Sequence, residues 1–160
     1  MIACPLLTPF RVAAAMLATM IALSAATSAP NPKPYSCITG VRLALQRGHF
    51  TGPLVCSKKD ASFVLKGRTT GVQFTIYDYR YRYLPSGGNV MHGGQKIIVF
   101  RGATYVGQYA LSPPPFVEVL VQGANVELRS LGDRNTVQLN LSRAPPAKIL
   151  VNGERGTFFR

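Results

Sequence analysis

The stretch Lys96 to Leu111, KIIVFRGATYVGQYAL, constrains the fold more than any other part of the chain. It reads as two strands joined by a two-residue turn at Gly102-Ala103. Glycine at the first central position suits a type II′ turn, whose twist matches that of the flanking strands. The register expected from such a turn pairs Phe100 with Tyr105, Val99 with Val106 and Ile97 with Gln108. Ile98 and Phe100 then share a face with Tyr105 and Tyr109, while Ile97 and Val99 share the other with Val106. Two apolar faces imply a central hairpin covered on both sides.

Residues 1–28 read as a secretory signal peptide. Arg11 precedes a charge-free apolar run from Val12 to Ala26, and small residues follow at Ser24-Ala25-Ala26 and Ala26-Thr27-Ser28, where cleavage is expected. The run is shorter than the roughly 20 apolar residues of a spanning helix. No transmembrane segment is expected in the mature chain, and the protein is read as exported, periplasmic or secreted. Residues 29–36 contain PNPKP, an extended spacer. Residues 37–160 form a single β-domain, long enough for one core.

Cys4 leaves with the signal, so the mature chain keeps Cys37 and Cys56. An even count in an oxidising compartment predicts a disulfide between them. Removal of Arg11 leaves 17 Lys and Arg against six Asp and Glu, a net charge of +11. That charge favours anionic partners such as phosphate, an acidic glycan or an anionic membrane face. The basic residues are scattered, with no run longer than Lys58-Lys59.

Ile38, Val41 and Leu45 fit one face of a short helix, with Thr39 as its cap and Gly48 as its stop. Val41, Leu43 and Leu45 also alternate as a strand would, but Ala, Leu, Gln and Arg favour the helix. Ala61 to Leu65 reads as a strand and Lys66 to Gly71 as a turn. In Val72 to Leu84, alternation puts Gln73, Thr75, Tyr77, Tyr79, Tyr81 and Tyr83 on one face. Val72, Phe74, Ile76, Asp78, Arg80, Arg82 and Leu84 take the other, apolar at first and charged afterwards. Such a strand must bend, bulge or run past the core.

Phe116 to Leu131 reads as a second hairpin turning at Gly123-Ala124. It pairs Val117, Val119 and Val121 with Ser130, Leu128 and Val126, and sets Glu118 opposite Arg129 as a cross-strand ion pair. Pro113 to Pro115 end pairing before it, and Gly132-Asp133 turn the chain after it. Val137, Leu139 and Leu141 alternate inward, and Ala147 to Val151 leads into a type I′ signal at Asn152-Gly153. About eight short strands predict an all-β fold: an antiparallel β-sandwich or partly open barrel, with one short N-terminal helix.

No HExxH, GxSxG or Walker motif occurs, and no His, Cys, Asp or Glu has ligand spacing around His92. No enzymatic activity, cofactor or metal is therefore expected. SGGNVMHGG, residues 86–94, leads into a strand rather than the helix start that a phosphate loop uses. The one constellation above background is Tyr77, Tyr79, Tyr81 and Tyr83 alternating with Arg80 and Arg82, with Arg101 as a neighbour across the sheet. Rings beside guanidinium groups can stack bases or sugars while holding acidic groups. The same tyrosines could instead cover the core. The expected function is an exported, non-catalytic domain binding an anionic partner: an envelope polymer, a glycan or nucleic acid. The alternative is a structural or assembly protein of the envelope that binds another protein through a sheet edge.

Overall fold

The structure, a computed structural model, describes residues 39–111, 116–130 and 136–160. The expected signal peptide and spacer, Cys37, Ile38, the Pro113–Pro115 break and the Gly132-Asp133 turn lie outside the described residues. The chain begins there with the helix α1 (Thr39–Arg47). Leu45 is its buried anchor, and Val41 and Ala44 pack beside it. The helix ends at Arg47, immediately before Gly48 as expected, but the left-handed residue falls one position further on. His49, at φ 59°, takes the left-handed position, and the Phe50 N–H reaches back to the Leu45 carbonyl (2.9 Å). Gly48 is required for room instead, because a side chain there would meet the ring of Tyr105.

Nine strands follow among the described residues: β1 (Ala61–Arg68), β2 (Phe74–Tyr83), β3 (His92–Arg101), β4 (Thr104–Leu111), β5 (Val117–Gln122), β6 (Asn125–Ser130), β7 (Thr136–Asn140), β8 (Lys148–Val151) and β9 (Glu154–Phe159). They make an antiparallel six-stranded sheet, ordered β1-β2-β3-β4-β9-β8, and a three-stranded sheet, ordered β5-β6-β7. The fold is all-β and sandwich-like. Phe74, Ile76, Ile97, Val99 and Tyr109 of the large sheet meet Val117, Val119, Val126, Leu128 and Leu139 of the small one. β5 lies beside β1 and β7 beside β8, so the two sheets approach a flattened barrel with two open seams.

The far face of the large sheet is covered as well. Leu45 and the segment after α1, with Phe50, Leu54 and Val55, pack on Phe63, Tyr79, Ile98, Phe100 and Tyr105. The central hairpin is thus buried on both sides. Its register differs from expectation beyond the turn. Gly102 has φ 60° and Phe100 does pair with Tyr105, but Val99 pairs with Gly107 and Ile97 with Tyr109. A bulge at Val106 shifts the strand by one residue, so Tyr105 and Tyr109 face opposite ways. The cause is distant in sequence. Phe158 of β9 lies over Gly107, where a Cβ would stand 2.5 Å from the ring, and the slip places glycine at that crossing. It also aims Tyr109 between the sheets, where its hydroxyl donates to the Pro146 carbonyl (2.7 Å).

The β5–β6 hairpin has the expected register throughout. Its ion pair does not: Arg129 bonds Glu127 on its own strand (2.6 Å) rather than Glu118. β1 is longer than expected, running through Lys66 to Arg68 with an irregularity between Leu65 and Gly67. The chain then reverses over 69–73, where Thr69 caps the start of β2 through bonds to Phe74 in both directions (2.8 and 3.0 Å). Asn152 and Gly153 both have positive φ, as a type I′ turn requires.

Candidate functional site

β2 pairs with β3 over ten residues, from Phe74 opposite Arg101 to Tyr83 opposite His92, without a slip. The change of character along β2 marks where this ribbon leaves the small sheet. Phe74 and Ile76 lie in the core, Asp78 sits buried at its rim, and Arg80 and Arg82 continue outward. The predicted alternation of faces is observed.

The tyrosines form a graded row. Tyr79 is wholly buried; its hydroxyl donates to the Pro53 carbonyl (3.0 Å) and accepts from the Val55 N–H (2.7 Å). Burial pushes its pKa up to about 12. Tyr77 packs on Phe63 and Phe100, with ring centroids 4.8 and 5.5 Å apart. Tyr81 stacks on Tyr79 at 5.0 Å, Tyr83 follows at 6.1 Å, and His92 ends the row at 5.8 Å from Tyr83. The inner half of the row is core, and the outer half reaches solvent.

Arg80 and Arg82 lie on the other face, each with a partner. Arg80 bonds Asp78 (3.0 Å) and donates to the Val117 carbonyl (2.9 Å), with its guanidinium 5.3 Å from the Phe116 ring centre. Gln95 completes this knot. Its amide donates to Asp78 and to the Val117 carbonyl, both at 2.8 Å, and accepts from the Val117 N–H (2.9 Å). Arg82 bonds Asp60 (3.0 Å) and the Lys59 carbonyl (3.2 Å). The Ser57 hydroxyl, with Arg82 beside it, holds the Asp60 carboxyl below its usual range. Arg101 is not in this group. It pairs with Phe74 at the opposite end of β2, six positions from the Arg80–Gln95 pair, or about 20 Å at the strand rise.

An open cleft of about 250 Å³ lies where β1 begins beside the outer part of β2. Lys58, Lys59, Arg80, Arg82, Tyr81 and Phe116 line it, with Asp60 at its side. The sequence pattern did not mark Lys58, Lys59 or Phe116 as part of a site. The one signal for them was that Lys58-Lys59 is the longest basic run. A second cleft, about 440 Å³, lies between α1 and the start of β4 and is lined by Arg47, Tyr105 and Arg160. Lys96 is a further buried cation that the pattern did not mark. Its ammonium donates to the Thr51 carbonyl (2.6 Å) and lies 5.0 Å from the Phe50 ring centre. Burial lowers its pKa to about 8.

Among the described residues, no group of His, Cys, Asp or Glu is arranged to hold a metal ion, and no helix is long and apolar enough to cross a membrane. No protein-family model, curated protein or solved structure matches the chain.

Proposed function

We propose that this domain is an exported, non-catalytic module that binds an anionic partner, such as an envelope polymer, a glycan or nucleic acid. The observation that carries the reading is the cleft where Lys58, Lys59, Arg80 and Arg82 meet Tyr81 and Phe116. Four cations face two carboxylates there, and both carboxylates are already bonded to arginine. Lys58 and Lys59 are exposed and supply the uncommitted charge. Phe116, whose ring lies 5.3 Å from the Arg80 guanidinium, offers ring surface beside them for a base or sugar.

Binding of the mature domain to a soluble polyanion, followed against salt, tests this. Affinity should fall steeply as salt rises, and Lys58→Ser with Lys59→Ser should flatten that slope by roughly one unit for each phosphate no longer neutralised. Salt-independent binding, or an unchanged slope in the double variant, would exclude the cleft.

A second reading is favoured by the β1–β5 seam. Among the described residues, β1 pairs only with β2 and β5 only with β6, and these two edges flank a cleft of about 300 Å³. An extended segment of another protein could add to either edge. Such binding would resist salt, which separates the two readings.

A further inference from the structure

The loop that closes the β2–β3 ribbon is apolar and exposed. Leu84, Val90 and Met91 are 55%, 62% and 52% exposed. Leu84 and Met91 flank the last cross-strand pair, Tyr83 with His92, so they stand side by side at the end of the ribbon. The loop between them is folded: the Gly88 N–H bonds the Pro85 carbonyl (2.9 Å), and Gly87 takes φ 77°. A hairpin tip with three exposed large apolar side chains is unusual unless it touches something apolar.

What surrounds the tip identifies the partner. Just behind it lie the half-buried rings of Tyr81 and Tyr83. Beside those lie Lys58 and Lys59, held there because Arg82 bonds both Asp60 and the Lys59 carbonyl. From Tyr79 through Val117 the sequence contains no acidic residue. The apolar tip is outermost, and behind it, level with the last residues of β2, stand Tyr81 and Tyr83 on one face and Lys58 and Lys59 on the β1 side, just before Ala61 pairs with Tyr81. A bilayer presents the complementary order: acyl chains, interface and anionic headgroups. Three side chains are too few for a stable protein interface, which covers about 800 Å² per partner. They suit shallow, reversible insertion supported by charge.

We infer that this end of the domain docks on the surface of an anionic lipid bilayer, with Leu84, Val90 and Met91 entering the headgroup boundary and Lys58 and Lys59 meeting lipid phosphates. This rests on the basic-cleft reading above and names the partner of that same end. Arg80 takes no direct part, since it is committed to Asp78 and Val117.

The chain contains no tryptophan, so a single one is a clean reporter. The experiment compares Val90→Trp with Leu150→Trp, a position equally exposed but far along the sheet order, on β8. Each is titrated with phosphatidylcholine vesicles, with vesicles containing phosphatidylglycerol, and with soluble polyphosphate. Val90→Trp should shift to the blue only with phosphatidylglycerol vesicles, and Leu150→Trp should not shift. Val90→Ser with Met91→Ser should abolish vesicle binding while leaving polyphosphate binding intact. Lys58→Ser should weaken vesicle binding by roughly fivefold. Polyphosphate binding without a shift at position 90 would overturn the bilayer proposal and leave the basic cleft standing. If neither polyphosphate nor vesicles bind, both fall.

Discussion

The side-chain amide of Gln95 pairs with both backbone groups of Val117, accepting from its N–H at 2.9 Å and donating to its carbonyl at 2.8 Å. A residue of the large sheet thus completes the pairing of the first residue of the small one. Asp78 and Arg80 bond the same knot, so polar groups buried at the rim of the core are satisfied together.

Gln95→Leu should therefore cost about 2–4 kcal/mol, because it leaves the Val117 backbone groups and Asp78 short of partners in a buried place. Urea unfolding of the purified domain measures this. A loss below about 0.5 kcal/mol would mean that water replaces the amide.

The tyrosine row should divide by burial. Tyr79→Phe removes a hydroxyl bonded to Pro53 and Val55 and should cost about 1–3 kcal/mol. Tyr83→Ala, near the solvent end, should cost less than about 1 kcal/mol. Equal losses in thermal or urea melts would contradict the grading.

Lys96 makes stability depend on pH. Its folded pKa, lowered to about 8 by burial, lies below that of an unfolded lysine, near 10.4. Below about pH 8 both states are charged and the folded state bears the full burial penalty. Between about pH 8 and 10 the unfolded state binds more protons, so stability rises with pH, by at most about 1.4 kcal/mol per unit. Above about pH 10 Tyr79 and Tyr105, both raised to about 12, reverse the trend, because the unfolded tyrosines ionise first. Lys96→Met should abolish the rise, as measured by urea midpoints from pH 7 to 10.

The turn and the bulge should fail separately. Gly102→Val places a β-branched residue at φ 60° and should cost about 1–3 kcal/mol. Gly107→Ala should cost a similar amount by displacing Phe158, and Phe158→Leu in the same chain should recover part of it. Thermal melts of the three variants decide this.

We expect Cys37 and Cys56 to form a disulfide in the exported protein, contributing roughly 3 kcal/mol for a loop of about 20 residues. Non-reducing peptide mass mapping should find the crosslinked pair. Two alkylatable thiols would refute it.

The elements legible in the sequence are those set by neighbours in the chain. The Gly102-Ala103, Gly123-Ala124 and Asn152-Gly153 turns follow from local backbone preference, and so does the β5–β6 register. The alternating faces of β2 are equally local. The β3–β4 slip was not legible, because its cause is Phe158, some 50 residues downstream by number. Nor was the role of Arg80, which depends on Val117 arriving from the other sheet. The pairing of Arg129 turned on a choice between two nearby glutamates that the pattern alone could not make. In the candidate site, alternation placed tyrosines and arginines correctly on opposite faces. It could not show that Arg101 lies at the far end of the ribbon or that Lys58 and Lys59 fold back beside Arg82.

The ten unslipped pairs of the β2–β3 ribbon have a consequence for how such a domain can diversify. Its alignment is held along the inner part, by Phe74, Ile76, Val99 and Tyr79, all buried. Residues 84–91 inherit that alignment without helping to set it. They form an exchangeable cassette: their length and chemistry can drift while the body that carries them stays fixed, so a lineage could change what the domain touches and keep how it folds.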